Sequence, residues 1–223
     1  MAAITSAGQG NWSSTTPNAP WPGGTVPVST DTVTIRNVDT VTLDGTQAVG
    51  NDSATGLTIN GVLTWDRAAS AQLTAKGGIV VSSAGTLNLG TAASPIPTGV
   101  VATLVLNDSA ALADGKYGLT ANAGSFVYAY SGIPRTRNTT SAGALIAGAT
   151  SMVVGLATNW AVGDTLCLMA SNNTVAQSEI VTISSVSGTT IGISAAVYAH
   201  SAGFPVGNFS SNIIIKPSNS SNP

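Results

Sequence analysis

The chain has 223 residues, enough for one large domain or two small ones, and its single cysteine, Cys167, excludes an intrachain disulfide. Only 7% of the residues are charged, against about 25% in ordinary soluble domains. The seven Lys and Arg residues are scattered and form no basic patch, which argues against nucleic-acid binding. No apolar run is long enough to span a membrane, so we expect neither a nucleic acid nor a membrane as partner.

The low charge also bears on whether the protein is free or associated with other molecules. A surface of Ser, Thr, Asn, Gly and Ala with a net charge of −2 provides little electrostatic repulsion between molecules. The composition therefore favours an assembled or surface-attached protein over a free cytosolic one. Residues 1–12 contain neither the basic region nor the apolar segment of a secretory signal, which predicts synthesis in the cytoplasm without export.

Residues 1–25 hold three prolines and two of the four tryptophans, Trp12 and Trp21. Proline has no backbone N–H to donate to a neighbouring strand. This stretch is therefore predicted to be an extended N-terminal arm. Its two tryptophans need burial, and they are the candidate residues for docking against a neighbouring subunit.

From residue 26 onward the chain shows short alternating runs bounded by Gly, Asn, Asp, Ser or Pro, which is the pattern of β-strands. Thr and Val dominate the runs, as suits a pleated, half-buried surface. The fold class is therefore predicted to be all-β. The predicted strands are Thr32–Arg36, Thr40–Asp44, Leu57–Ile59, Val62–Trp65, Gln72–Ala75, Ile79–Ser82, Thr86–Leu89, Ala102–Asn107, Tyr117–Ala121, Ser125–Tyr130, Ser151–Gly155, Thr165–Ala170, Glu179–Val186, Thr189–Ser194 and Asn212–Lys216.

A weak internal repeat runs through residues 57–130, within a domain predicted to span 26–139. Residues 57–65 and 79–89 each consist of a short strand, a polar turn with glycine and a second short strand, and residues 119–127 repeat the pattern. Gly61 and Gly85 are 24 residues apart. A period in the twenties predicts the rungs of a short parallel β-helix, with a glycine at each corner. An antiparallel β-sandwich with hairpins of similar length is the alternative.

Residues 140–203 have longer strand spacing, and Gly163-Asp164 and Ser187-Gly188 have the composition of hairpin turns. We expect this region to be a small antiparallel β-barrel or β-sheet inserted into the first domain. Residues 204–223 are predicted to form a final strand and a flexible Ser/Asn-rich tail.

Several segments, in order, resemble the eight-glycine domain of fibrocystin-like proteins and of cell-surface and secreted hyaluronidase-related proteins. The matching segments are Trp12-Ser13, Trp21-Pro22-Gly23-Gly24, Asp31-Thr32-Val33-Thr34-Ile35, Val41-Thr42-Leu43-Asp44, residues 57–63, Ile79-Val80-Val81, Gly85-Thr86-Leu87, Leu89-Gly90, residues 159–166, Ser178-Glu179, Ile183 and Tyr198-Ala199-His200. The resemblance implies a β-helix with a β insertion. It also implies a structural role for His200, as a polar group that closes a turn and hydrogen-bonds to the backbone.

The chain departs from that family in two ways. It has Thr30-Asp31 where the family usually has Gly-Asp before the first strand. Family members also usually continue into a long β-helix and are secreted or membrane-anchored. The chain is therefore expected to be a stand-alone, phage-borne version of the module, to which the hyaluronidase activity of some relatives does not transfer.

Residues able to perform catalysis are scarce. His200 is the only histidine, no His or Cys cluster offers metal ligands, and no Gly-x-Ser-x-Gly motif is present. We therefore predict no catalytic residue, no metal and no cofactor. Glycoside hydrolysis needs two facing carboxyl groups, and Asp164 with Glu179 is the pair to inspect first.

Aromatic residues suggest another role, because a sugar can stack on an exposed ring. Trp65 and Trp160 are the leading candidates, with Tyr128, Tyr130 and Tyr198 as further members of such a platform. Packing in the core is the alternative use for these side chains.

Three functions follow from these observations. The leading hypothesis is a non-enzymatic structural protein of a large assembly, such as a phage capsid decoration (cement) protein or another virion-surface protein. It would form a homo-oligomer, for which a trimer is one arrangement, and bind a major capsid or other virion protein. The alternative is a carbohydrate-binding module on a virion or an extracellular surface. The third hypothesis is a fragment of a glycan-cleaving enzyme.

Overall fold

A computed structural model describes residues 2–51, 55–107, 118–133, 135–172 and 174–218. The chain divides into two compact units: unit 1 comprises Met1–Gly132 and Asn212–Pro223, and unit 2 comprises Ile133–Ser211. Nearly all regular structure in the described ranges is β, with single 3₁₀ turns at Pro22–Gly24 and Val175–Gln177. In the part of the chain that the structure describes, no helix has the length and apolar character needed to cross a membrane.

The strands are numbered in chain order. They are β1 (Ala3–Thr5), β2 (Gly10–Asn11), β3 (Thr32–Ile35), β4 (Thr40–Leu43), β5 (Thr46–Val49), β6 (Leu57–Ile59), β7 (Val62–Trp65), β8 (Ala71–Lys76), β9 (Ile79–Val81), β10 (Thr86–Leu89), β11 (Ala102–Asn107), β12 (Leu119–Ala121), β13 (Phe126–Ala129), β14 (Asn138–Thr140), β15 (Ser151–Val153), β16 (Thr165–Leu168), β17 (Glu179–Ser187), β18 (Thr190–Ile193), β19 (Pro205–Asn208) and β20 (Ile213–Pro217).

Unit 1 is a parallel β-helix built from three sheets. Sheet A has the order β1-β3-β6-β9-β12, sheet B has β13-β10-β7-β4-β2, and sheet C has β20-β11-β8-β5. Successive rungs place one strand in each sheet, and the neighbouring strands pair in parallel. Val62 pairs with Thr86, so the preceding residues Gly61 and Gly85 occupy equivalent corners of adjacent rungs. The predicted β-helix is confirmed, and the β-sandwich alternative is wrong.

Strict alternation of buried aliphatic and half-buried polar residues along the short strands explains why these residues form rungs. In β3 and β4 the buried positions are Val33, Ile35, Val41 and Leu43, while the threonines between them face outward. Side chains at alternate positions point to opposite faces of a strand. Each rung therefore adds aliphatic side chains to one continuous core and leaves threonine hydroxyls on the outer face.

The N-terminal residues begin the β-helix, contrary to the predicted extended arm. Strand β1 pairs with β3 and β2 pairs with β4, both in parallel. Trp12 and Trp21 are completely buried, with ring centroids 4.9 Å apart, and the Trp21 indole N–H donates to the Trp12 carbonyl oxygen. Their predicted role in docking a neighbouring subunit is corrected, because neither side chain has exposed surface to offer.

The chain returns to unit 1 through β20, which pairs in parallel with β11 and supplies the sheet C strand of the last rung. The buried side chain of Asn212 anchors this return. Its amide nitrogen lies 3.0 Å from the carbonyl oxygen of Ile96, 2.7 Å from that of Pro97 and 2.8 Å from that of Val100. The final strand predicted from the sequence is therefore present.

Unit 2 is a six-stranded antiparallel sheet with the order β14-β19-β16-β17-β18-β15. An antiparallel β-barrel or β-sheet was predicted for this region. Its bounds are wider than the predicted 140–203, because β14 pairs with β19 and both belong to this sheet. The turn at Gly188 joins β17 to β18, as expected from Ser187-Gly188. The segment Gly163-Asp164 does not close a hairpin, since β15 pairs with β18 while β16 pairs with β17 and β19.

Candidate functional site

A row of aromatic side chains lies on β13, the edge strand of sheet B in the described part of the chain. Phe126 and Tyr128 pair with Thr86 and Asn88 of β10. The residues after these two in β10, Leu87 and Leu89, are buried, so Phe126 and Tyr128 must face outward. Tyr130 follows with the same spacing of two residues. We call these three residues the aromatic ladder.

The aromatic ladder is accessible to solvent. Phe126 is 51% exposed, Tyr128 39% and Tyr130 50%. The rings of Phe126 and Tyr128 are parallel within 6°, with centroids 5.9 Å apart. Large aromatic side chains normally contribute their area to a core or an interface. Three of them exposed in one row make this surface the candidate binding site.

A cleft of about 490 Å³ adjoins the ladder. One wall is the loop after β10 and the other is β13 with the residue that follows it. The lining residues are Gly90, Thr91, Ala92, Ala93, Val127, Tyr128, Ala129 and Tyr130. All eight are uncharged, and their side-chain polar groups are the hydroxyls of Thr91, Tyr128 and Tyr130.

The loop wall is held by hydrogen bonds within the loop and by others that Arg67 donates to it. Thr91 and Ser94 exchange two backbone hydrogen bonds of 3.0 and 3.1 Å. The Arg67 guanidinium donates to the Pro95 carbonyl oxygen at 2.9 Å and to the Ser94 hydroxyl at 3.2 Å. A wall fixed in this way loses little conformational freedom when a ligand binds.

Gly90, the first residue of the loop wall, allows the wall formed by β13 and Tyr130 to lie close to the loop. Its φ is +94°, and a Cβ at this position would lie 2.5 Å from the Tyr130 carbonyl oxygen and 2.8 Å from the Ile96 nitrogen. The space is occupied because the Ile96 N–H donates to the Tyr130 carbonyl oxygen at 2.9 Å. Glycine is therefore required here for the backbone of Tyr130 to pass so close.

Comparison with protein families found a match to part of the chain. A family model described as G8 domain matches residues 20–125. The resemblance to the eight-glycine domain is thereby confirmed, and the aromatic ladder begins at the first residue after the matched range. A search of curated proteins found no match.

Among solved structures, the chain is similar to the Gp54 tailspike of Acinetobacter baumannii bacteriophage AP22 in complex with A. baumannii capsular saccharide. The identity is 18% and the TM-score is 0.31. The similarity covers 70% of this chain and 24% of the tailspike chain, so this chain spans about a quarter of the tailspike it matches.

The structure corrects the two tryptophans predicted to stack on glycans. Trp65 is 1% exposed in the core of unit 1, and its indole N–H donates to the Ala71 carbonyl oxygen. Trp160 is 6% exposed in unit 2, where its indole N–H donates to the Thr136 carbonyl oxygen. Neither offers a ring face to a sugar. Of the tyrosines considered from the sequence, Tyr128 and Tyr130 are accessible in unit 1 and Tyr198 in unit 2.

Asp164 and Glu179 do not form a catalytic pair. The Asp164 backbone lies opposite Ile183, four residues along β17 from Glu179, which separates the two backbones by about 13 Å. Paired glycosidase carboxyl groups lie roughly 5–9.5 Å apart. The Asp164 carboxylate accepts a hydrogen bond from the Asn208 amide at 3.0 Å and forms an ion pair with Arg135, whose Nε lies 2.9 Å away. These contacts hold unit 2 together.

Glu179 and His200 form a buried pair that ties a loop to β17. The Glu179 carboxylate accepts the backbone N–H groups of Val197 and Tyr198 and lies 2.9 Å from the His200 Nε2. The His200 Nδ1 lies 3.1 Å from the Met169 carbonyl oxygen. This is the turn-closing arrangement that the family resemblance implied for His200. Among the described residues, no group of three His, Cys, Asp or Glu side chains is placed to hold a metal ion.

Proposed function

We propose that this protein is a non-catalytic glycan-binding module whose binding surface is the aromatic ladder together with the adjoining cleft. The observation that carries the proposal is the row of three accessible aromatic rings beside an uncharged, preformed cleft. Binding pockets combine apolar walls with a few placed polar groups in the same way.

The chemistry of sugars fits this surface. A pyranose ring has an apolar face of C–H groups and an edge of hydroxyls. The rings of Phe126, Tyr128 and Tyr130 provide apolar area for the C–H face. The hydroxyls of Tyr128, Tyr130 and Thr91 can donate to and accept from the sugar hydroxyls at the edge.

The surroundings of Asp164, Glu179 and Asp66 favour binding over cleavage. Asp164 and Glu179 are occupied by local hydrogen bonds and are too far apart for glycoside hydrolysis. Asp66 accepts a hydrogen bond from the backbone N–H of Ala68, which is a turn contact. The proposal therefore assigns no catalytic residue.

Replacing Tyr128 with Ala should weaken glycan binding about tenfold or more, because it removes the central ring of the ladder, and tenfold corresponds to about 1.4 kcal/mol. The wild type would first be screened on an array of polysaccharides, and the affinity of each variant for the best ligand measured by calorimetry. Tyr128→Phe should retain most of the affinity, since it keeps the ring.

The matched control is Tyr198→Ala, which removes a partly exposed tyrosine from unit 2. It should leave the affinity unchanged. Equal affinities for Tyr128→Ala and the wild type, or a wild type that binds none of the arrayed glycans, would count against the proposal.

The low charge favours a second part of the proposal, that the module is attached to a virion surface as an oligomer bound to another virion protein. The last rung leaves the apolar side chain of Ile215 exposed, as expected of a surface that meets other protein. Antibody against the chain should label purified phage particles, and native mass spectrometry should show multimers. An unlabelled particle together with a stable monomer would contradict this assignment.

A further inference from the structure

The outer face of sheet B continues the aromatic ladder across the strands. The pairing register places Tyr128, Asn88, Thr64 and Thr42 side by side on β13, β10, β7 and β4. Paired strands lie about 4.8 Å apart, so this row spans about 14 Å. We call it the polar row.

A second row runs beside the first, two residues earlier on each strand. It consists of Phe126, Thr86, Val62 and Thr40, which also pair in register. Both rows face outward, because the residues between them on β4, β7 and β10 are buried, and Phe126 and Tyr128 pair in register with the outward residues of β10. We call the second row the methyl row, since Phe126 and Val62 are apolar and each of its two threonines carries a methyl group beside its hydroxyl.

The two rows differ in two side chains each: the polar row holds Tyr128 and Asn88, whereas the methyl row holds Phe126 and Val62. The polar row carries hydroxyl and amide groups, and the Asn88 side-chain oxygen accepts the Gly90 N–H at 2.9 Å, which fixes the orientation of its amide. The Asn88 amide N–H groups remain as donors. The eight side chains of both rows are uncharged.

We infer that an uncharged polysaccharide chain runs from the aromatic ladder across sheet B along these two rows, so that the site binds a segment of several sugars rather than a single residue. This inference rests on the proposed function. The polar row pairs with the hydroxyl edge of the sugars, and the methyl row packs against their C–H faces.

The charges around these eight side chains bear on the substrate class. An anionic sugar placed on this face would lose hydration without gaining a counter-charge, because the rows are uncharged and the residues two positions beyond Thr42 and Thr64 are Asp44 and Asp66. An uncharged chain loses only hydroxyl hydration, which the polar row replaces. The polysaccharide is expected to cross the strands, because Tyr128 belongs both to the aromatic ladder and to the polar row. One chain can therefore contact both surfaces.

The test uses neutral glucan, mannan and chitin oligosaccharides, from disaccharide to hexasaccharide, with hyaluronan oligosaccharides as the charged probe. For the wild type, affinity for the neutral series should rise with chain length. Thr64→Arg places a long charged side chain in the middle of the polar row. It should lower affinity for the longest oligomers about tenfold and leave the disaccharide unaffected.

Two further variants sharpen the result. Thr42→Arg, at the far end of the row, should reduce affinity only for oligomers longer than those first affected by Thr64→Arg. Thr58→Arg is the matched control, because Thr58 is an outward, half-buried threonine of the same rung on sheet A. It should have no effect on binding. Thermal unfolding of each variant shows that it is folded.

Length-independent binding that Tyr128→Ala abolishes would overturn this inference and leave the proposed function standing. Preferential binding of the hyaluronan oligosaccharides would also overturn it. A wild type that binds no glycan would overturn both. Loss of long-oligomer binding in Thr64→Arg but not in Thr58→Arg supports the inference.

Discussion

Gly61→Ala should destabilise unit 1 by about 3 kcal/mol or more, a magnitude that single substitutions reach only through a defined structural conflict. Gly61 forms the corner between β6 and β7. A Cβ at this corner would collide with the backbone carbonyl oxygens of Arg36 and Asp39 in the adjacent rung. The Asp39 carbonyl oxygen accepts the Val62 N–H at 2.9 Å, so it cannot move away without breaking the connection between rungs.

Gly99→Ala is the matched control in the same unit. No atom lies within 4 Å of a Cβ built on Gly99, and its φ is not in the left-handed region. Its effect on the free energy of unfolding should stay within about 0.5 kcal/mol. Chemical denaturation of the three proteins would compare them, and equal stabilities of Gly61→Ala and the wild type would contradict the close-packed corner.

The β-helix was predictable because its signals are local. Alternation along residues 32–36 and 40–44 identified β3 and β4, and the spacing of Gly61 and Gly85 identified adjacent rungs. A rung repeats the same strand and corner chemistry, so its period appears in the sequence directly. The antiparallel character of unit 2 was predictable for a similar reason, through the turn at Gly188.

Pairing between distant segments was not predictable in the same way. Strands β1 and β2 contain three and two residues, and their partners lie about 30 residues further along the chain. Such short strands carry no periodicity of their own, and the nearby prolines indicated an arm. The bounds of unit 2 depended likewise on the pairing of β14 with β19, which no local pattern reveals.

The candidate site was predicted only in part. Trp65 and Trp160 were favoured because tryptophan has the largest ring, but exposure depends on which face of the strand a residue occupies. Trp65 pairs with Leu43 at a buried position of sheet B. Alternation along residues 125–130 places Phe126 and Tyr128 on one face, yet only the register with Leu87 shows that this face is the outer one.

Glu179→Ala should destabilise unit 2 by about 3–5 kcal/mol at neutral pH, the range for breaking one side of a buried, hydrogen-bonded pair. The substitution leaves the backbone N–H groups of Val197 and Tyr198 and the His200 Nε2 without their acceptor. Each buried polar group left unsatisfied is costly. Amide hydrogen exchange followed by mass spectrometry would report this unfolding from the peptides of unit 2 alone.

The same contacts predict a pH dependence. Burial alone would raise the pKa of Glu179, but the hydrogen bonds from Val197, His200 and Tyr198 outweigh it and hold this pKa below its usual range. A carboxyl whose pKa is lower in the folded state stabilises that state above its unfolded pKa of about 4.3. The stabilisation is then lost as the pH falls through the folded pKa, so wild-type unit 2 should weaken in acid.

Glu179→Gln separates this titration from the hydrogen bonds. The amide keeps an oxygen acceptor for part of the network but has no proton to gain, so the variant should be less stable than the wild type at neutral pH and nearly equal to it in acid. The free energy of unfolding of unit 2, measured across the acid range for both proteins, would show converging curves. Parallel curves would mean that the Glu179 carboxylate is not the group whose ionisation stabilises the loop at Val197 and Tyr198.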